Sequence, residues 1–231
     1  MKLDFTDIID LTHRIEERMP HWPGDPLTQI RNVASVAQDG YRLNVLTMGE
    51  HSGTHIGAPL HFRTNAASVD EIPVRHLVSP GVKIDISQNA QSDADALLQI
   101  NDIEAWEARN GRIPVETILL VQTGWSRFWT NPKRYLGLKN KTLHFPGIAP
   151  KAAQLLLEER GIRGLGIDTH GVDGGCSQNF EVNTQLAKRN GFHLENLTNL
   201  NQLHETDFIL VIGVLPIKRG TGAPCRVLAL Q

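Results

Sequence analysis

Residues 51–61 read His-Ser-Gly-Thr-His-Ile-Gly-Ala-Pro-Leu-His, which places three of the chain's ten histidines in one short segment. No other stretch restricts the local fold as strongly. In an extended chain His51, Gly53, His55, Gly57 and His61 share one parity and project to one face. A straight strand nevertheless holds His51 and His55 about 13 Å apart, at about 3.3 Å per residue, too far to meet at one ion. The chain is therefore expected to bend between them, and Gly53, which tolerates positive φ, permits the bend. Pro59 excludes a long helix or a central strand through His61. The segment reads as a shaped loop at a strand end, where sites commonly lie.

Imidazole nitrogens suit zinc, manganese or iron, and a catalytic ion keeps one coordination position open. His51 and His55 are the candidate ligands. His61, beyond the proline, is a candidate acid–base residue. The alternative reading of each is a half-buried, hydrogen-bonding side chain, but clustering with glycine and proline favours a site.

The rest of the composition narrows the partner. Lys+Arg total 23 against 25 Asp+Glu, and no run of basic residues occurs, which argues against a nucleic-acid or anionic-membrane binder. A small-molecule substrate is expected instead. The longest apolar run, Phe208–Ile217, is about half of the roughly 20 residues needed to cross a bilayer, so no membrane span is expected. The acidic opening Met1–Asp7 lacks the apolar core of a secretory signal, and the expected location is the cytoplasm. Cys176 and Cys225 form no CxxC motif and are read as two reduced, partly buried thiols. Without repeats or long linkers, residues 1–231 are treated as one domain.

Apolar, β-branched runs predict strands near Ile8–Thr12, Leu43–Met48, Val82–Ile86, Thr117–Thr123, Gly164–Asp168, Phe208–Val214 and Arg226–Leu230. Helices are predicted at Ser68–Val74, Asn101–Ala108, Pro150–Arg160 and Val182–Lys188, the third opened by Pro150 and stopped by Gly161. Strands outnumber helices without strict alternation, which predicts a mixed α/β fold around a twisted sheet.

Three further segments bear on function. Met19–Pro26 is rigid and proline-rich and presents Trp22 to a small aromatic or amide substrate, or else packs it in a surface turn. Gly166–Gly175 sets Asp168, His170 and Asp173 after a strand, either lining a site or forming Asx turns. His193–Leu197 offers Glu195 as a carboxylate ligand. His13, His21, His76, His144 and His204 are scattered and receive no role. Nucleotide-binding glycine motifs, GxSxG and HExxH are all lacking.

These residues resemble the cyclase-type metal-dependent hydrolases that include bacterial kynurenine formamidase and isatin hydrolase. The family pattern His-x-Gly-Thr-His-x-Asp-x-Pro-x-His is met by His51, Gly53, Thr54, His55, Pro59 and His61. Further matches are Asp10-Leu-Thr, Met19–Pro26, Thr123-Gly-Trp125-Ser, Phe145-Pro-Gly147, Gly166-Ile-Asp168 with Asp173, and Leu194-Glu195-Asn196-Leu. The resemblance implies a swivelling β/β/α fold and a homodimer or homotetramer, in which Trp22 reaches toward a neighbouring subunit. It also implies hydrolysis of a small amide, lactam or ester, with N-formylkynurenine or a relative, as in tryptophan catabolism, the first substrate to consider.

In the formamidase branch, the two motif histidines and the motif Asp hold one ion, and that Asp, a later His and a Glu hold a second. Carried over, His51, His55 and Glu195 become metal ligands, His61 the proton-transfer residue and Trp22 a substrate contact. Two positions depart from the pattern: the bridging Asp is Gly57, and the later His falls on Asn183. The expectation is therefore one divalent ion, Zn or Mn, with Gln185 or His170 as conceivable compensating groups. The alternatives are a family member that has lost catalysis and binds a ligand, or a lyase or dehydratase.

Overall fold

The computed structural model describes residues 5–231. The opening segment read above as lacking a signal falls partly outside them. Among the described residues twelve strands form: β1 (Ile8–Asp10), β2 (Gln29–Ala34), β3 (Leu43–Thr47), β4 (His55–Gly57), β5 (Val78–Asp85), β6 (Leu97–Leu98), β7 (Ile118–Gln122), β8 (Gly147–Ile148), β9 (Gly164–Ile167), β10 (Phe192–Glu195), β11 (Phe208–Val214) and β12 (Gly222–Leu230). The main sheet runs β1-β12-β11-β5-β7-β9-β10-β4, and β4 pairs again with β12. Seven strands thus close into a ring, with β1 flanking it on β12.

β5, β7, β9 and β10 run parallel to one another, whereas β11, β12, β4 and β1 are joined by antiparallel pairings. Parallel strands are covered on both faces, and β7 shows why its sequence is continuously apolar. Ile118 and Leu120 point into one core with Ile56, Leu194, Leu210 and Val227. Leu119 and Val121 point to the other, against α3 (Ile100–Asn110), α5 (Pro150–Gln154) and α6 (Glu181–Lys188) through Ile103, Ala152 and Leu186. The remaining helices, α1 (Val36–Asp39), α2 (Ser87–Ser92) and α4 (Pro132–Leu136), are short.

All seven predicted strands form, Phe208–Val214 with the predicted ends and the others with one or both ends shifted. Ile8–Thr12 stops as a strand at Asp10, although Thr12 makes an isolated bridge to Leu197. The predicted helix Ser68–Val74 is instead two single turns, Val69–Glu71 and Val74–His76, because Pro73 between them cannot continue a helical ladder. Pro150–Arg160 is α-helical only to Gln154 and continues as a wider turn over Leu155–Glu159. Gly161, at φ 65°, ends it as expected. Both cysteines are free thiols, but Cys176 is exposed rather than partly buried, because it sits on a surface loop. Among the described residues no helix is long and apolar enough to cross a membrane.

The hairpin of β2 and β3 stands apart from the ring as its own two-stranded sheet. Ile30, Val33, Leu43, Val45 and Leu46 on it, and Leu27 just before it, are exposed. Ile30 pairs with Leu46 on one face of the hairpin while Leu43 and Val45 point to the other, so both faces carry exposed apolar side chains of the kind found at interaction surfaces.

Candidate active site

The site is assembled at β4 by its pairings on both sides. Across β4 and β10, His193 faces Gly57 and Glu195 faces His55. Residues opposite one another, and residues two apart, share a face of a sheet, so His55, Gly57, His193 and Glu195 all point the same way. The chain turns sharply before β4 at Gly53, φ 64°, which brings the His51 ring centre within 5.1 Å of that of His55. Beyond β4 a single helical turn, Pro59–His61, opened by Pro59, stacks His61 on His51 at 3.8 Å. The expected bend and the expected break are both present.

The hydrogen bonds set the tautomers. His55 Nδ1 lies 2.9 Å from the Gly53 carbonyl and must donate to it, which leaves Nε2 with a lone pair facing the cavity. The Thr221 hydroxyl donates its one proton to Glu50 at 2.5 Å, so His51 Nε2, 3.0 Å from the same hydroxyl, donates to it. His51 therefore keeps its lone pair on Nδ1. Outer partners of this kind orient ligating imidazoles in metal sites. Glycine at 222 makes room, since a Cβ there would run into the His51 ring.

His193 is the residue that sequence reasoning missed. Ligand atoms of His51, His55 and His193 lie within 4.8 Å of one another. Glu195 Oε2 is 3.3 Å from His55 Nε2 and 3.8 Å from His193 Nε2, while Oε1 accepts the Val172 N–H at 3.0 Å. The available signal was the His193-x-Glu195 spacing, which on a strand puts both side chains on one face.

Burial lowers the pKa of His51 and brings His193 and His170 down to about 4, so all three are neutral at pH 7. Burial alone would raise Glu195, but His193 and His55 outweigh it and hold the carboxyl well below the usual range. The imidazoles of His51, His55 and His193 with the Glu195 carboxylate are a donor set suited to a divalent cation of the zinc or manganese kind. His55 Nε2 is buried without a hydrogen-bond partner, a costly arrangement that a cation would relieve. The residues present therefore fit one divalent ion.

Above these groups is a cavity of about 330 Å³, of a size for a small molecule. Trp22, Phe62 and Phe180 supply its aromatic wall, and His170, Asp173 and Asn183 its polar side. Trp22 approaches His170 edge-on at 5.6 Å. Both ring nitrogens of His170 and the Asn183 Oδ1 are buried without partners. His61 is exposed at the rim. All five sequence-predicted residues, Trp22, His51, His55, His61 and Glu195, line this one cavity. Of the two suggested compensating groups, His170 lines it too, whereas the Gln185 amide donates to the Pro150 carbonyl at 3.2 Å outside its lining. A larger cleft of about 510 Å³, beside Trp106 and Phe208, has none of the grouped metal-ligating side chains found among the described residues.

A family model described as "Putative cyclase" matches residues 9–174. The chain is 34% identical over 215 residues to an isatin hydrolase of Roseibium aggregatum, across 89% of this chain and 81% of that protein. It is 28% identical over 221 residues to a kynurenine formamidase of Geobacillus thermodenitrificans, across 94% of each. An isatin hydrolase A from Labrenzia aggregata, solved bound to benzyl benzoate, superposes with a TM-score of 0.92 at 34% identity, over 97% of this chain and 93% of that one. The mixed α/β fold expected from the sequence is the fold of that structure.

Proposed function

The chain belongs to the cyclase family, and from that membership we propose that it is a metal-dependent hydrolase of a small amide, lactam or ester. His51, His55, His193 and Glu195 would hold one Zn or Mn ion. The observation that carries this reading is the convergence of three imidazoles and a carboxylate beneath an aromatic-walled cavity, with His55 Nε2 left unpartnered. The relatives, an isatin hydrolase and kynurenine formamidases, support an aromatic lactam or formamide such as N-formylkynurenine as the substrate.

Such an ion, when bound, polarises a carbonyl and acidifies water. The protein's own groups do the rest. Trp22, Phe62 and Phe180 hold a flat aromatic ring and exclude water from it. Asn183 Oδ1 accepts a hydrogen bond from the polar end of the substrate, and His170, one ring nitrogen carrying a proton and the other a lone pair, donates or accepts another. His61, at the rim and stacked on His51, takes a proton from the attacking water and passes it to the leaving nitrogen or oxygen. Partial desolvation of its ring against the cavity wall lowers its pKa, so the ring is a free base at neutral pH.

The ligand-binding alternative rested on Gly57 and Asn183. His193, opposite Gly57, supplies a donor where the first gap lies, and this favours catalysis. The exposed apolar side chains of β2 and β3 support assembly as a homodimer or homotetramer. The two free thiols support a cytoplasmic location.

The test combines elemental analysis with turnover, on protein purified without chelator, for the wild type and the His51→Ala/His55→Ala variant. The expected result is hydrolysis of isatin or N-formylkynurenine by the wild type, with loss of one metal equivalent and of turnover in the variant. Wild type and variant with equal metal content after equilibration with Zn or Mn would overturn the reading.

A further inference from the structure

A second group of metal-ligating side chains lies outside the cavity, formed by Asp95, His144 and Cys176. None of the three lines the proposed active site. His144 Nδ1 is 2.8 Å from Asp95 Oδ2 and 3.1 Å from Oδ1, Cys176 Sγ is 3.1 Å from Asp95 Oδ1, and Sγ is 3.4 Å from His144 Nδ1. Around a tetrahedral zinc ion, with Zn–S of about 2.3 Å and Zn–N or Zn–O of about 2.0–2.1 Å, donors stand about 3.3–3.6 Å apart. The group is thus within a few tenths of an ångström of three corners of such a tetrahedron.

The backbone places these residues. Asp95 precedes β6 and His144 precedes β8, and β6 and β8 pair in parallel, with Gly147 N–H donating to the Ala96 carbonyl at 3.1 Å. Cys176 is carried in by Gly175, whose N–H donates to the Phe145 carbonyl at 2.9 Å. A Cβ at residue 175 would collide with the backbone of Leu143, His144 and Phe145, so glycine is what lets the Cys176 loop lie directly on the segment that carries His144. Three segments distant in sequence therefore present three different donor types at one point.

We propose that Asp95, His144 and Cys176 form a second metal site, selective for zinc-class divalent ions, with a fourth position open to water. A thiolate among the donors selects zinc or cobalt over magnesium or calcium. Partial desolvation, and then Asp95, hold the thiol at about 11, so binding displaces its proton. The site clamps the loop that runs from β9 to α6. That loop carries Asp173, which accepts the N–H groups of Val182 and Asn183 at 2.9 and 3.0 Å at the start of α6, and Phe180 of the cavity wall. Occupancy therefore stiffens one side of the substrate pocket.

The site stands independently of the hydrolase reading, and cobalt distinguishes the two. Only this group contains sulfur, so Co²⁺ bound here gives a near-ultraviolet sulfur-to-cobalt charge-transfer band, whereas a histidine and carboxylate site does not. The expected result on titrating the whole protein with Co²⁺ is such a band in the wild type and in His51→Ala/His55→Ala, and its loss in Cys176→Ser. Zinc content is expected to fall by one equivalent in Cys176→Ser and in His144→Ala, with far-ultraviolet circular dichroism unchanged. Absence of the band in the wild type at saturating Co²⁺, or its persistence in Cys176→Ser, overturns the proposal.

Discussion

The imidazole of His193 fills the space that a side chain on Gly57 would need, because the two residues face each other across the β4–β10 pair. Where the family pattern has a carboxylate on β4, this protein has a glycine on β4 and an imidazole on β10. The donor reaches the cavity from the neighbouring strand instead.

This reciprocity predicts the behaviour of three variants. Gly57→Asp alone collides with His193 and is expected to lose metal and turnover. His193→Ala alone removes a donor and is expected to weaken metal binding by more than the roughly 10–100-fold seen when outer partners of a site are lost. The combination Gly57→Asp/His193→Ala restores a carboxylate and the room for it, and is expected to recover metal binding. Isothermal titration with Zn²⁺ of the three variants checks the order, and a double variant weaker than both singles would refute the exchange.

His61 is expected to act in proton transfer without holding the ion. His61→Ala should lower kcat by about 10²–10⁴-fold, the usual contribution of a positioned acid–base group, at unchanged metal content. Steady-state kinetics paired with elemental analysis decide the matter. A kcat within about twofold of wild type would remove His61 from the chemistry.

Trp22 meets His170, Phe180 and Phe145 within 5.6–6.3 Å and forms the wall against which a flat substrate would lie. Aromatic contacts add about 0.5–1.5 kcal/mol beyond area, so Trp22→Ala should raise KM by about tenfold with little change in kcat. A fall in kcat alone, measured over a full substrate range, would show that Trp22 acts otherwise.

Stability should fall in mild acid. His13, His170 and His193 are each lowered to about 4 by burial, against about 6.5 in an unfolded chain. Between those values the unfolded chain binds more protons, so the stability these histidines contribute is present above pH 6.5 and lost as pH falls toward 4. Asp168, raised to about 6 by burial, and Asp173, also raised by burial, work in the opposite direction but are fewer than the buried histidines. Urea midpoints of metal-free protein are expected to be lower at pH 5 than at pH 7.5. His13 stacks on Trp129 at 4.0 Å, so His13→Phe should keep the contact and shrink the difference by about 2 kcal/mol. An unshrunk difference in His13→Phe would show that His13 does not titrate as described.

Much of the fold could be read locally. Phe208–Val214 is apolar and β-branched enough to be a strand in any context, and Pro150 and Gly161 mark helix ends by backbone restriction alone. The strands that escaped notice, β4 and β10 above all, are three and four residues long and carry His, Gly and Glu. Their extended form comes from pairing with neighbours and not from propensity.

By itself the sequence determined the bend at Gly53, the break at Pro59, and hence that His51, His55 and His61 could meet, because these are restrictions on single backbone positions. Only the tertiary structure decided that His193 would take the place left by Gly57, and that Asp95, His144 and Cys176 would converge. Each depends on strand register and loop packing between segments far apart in the chain, and a shift of one residue in either pairing would turn those side chains to the opposite face.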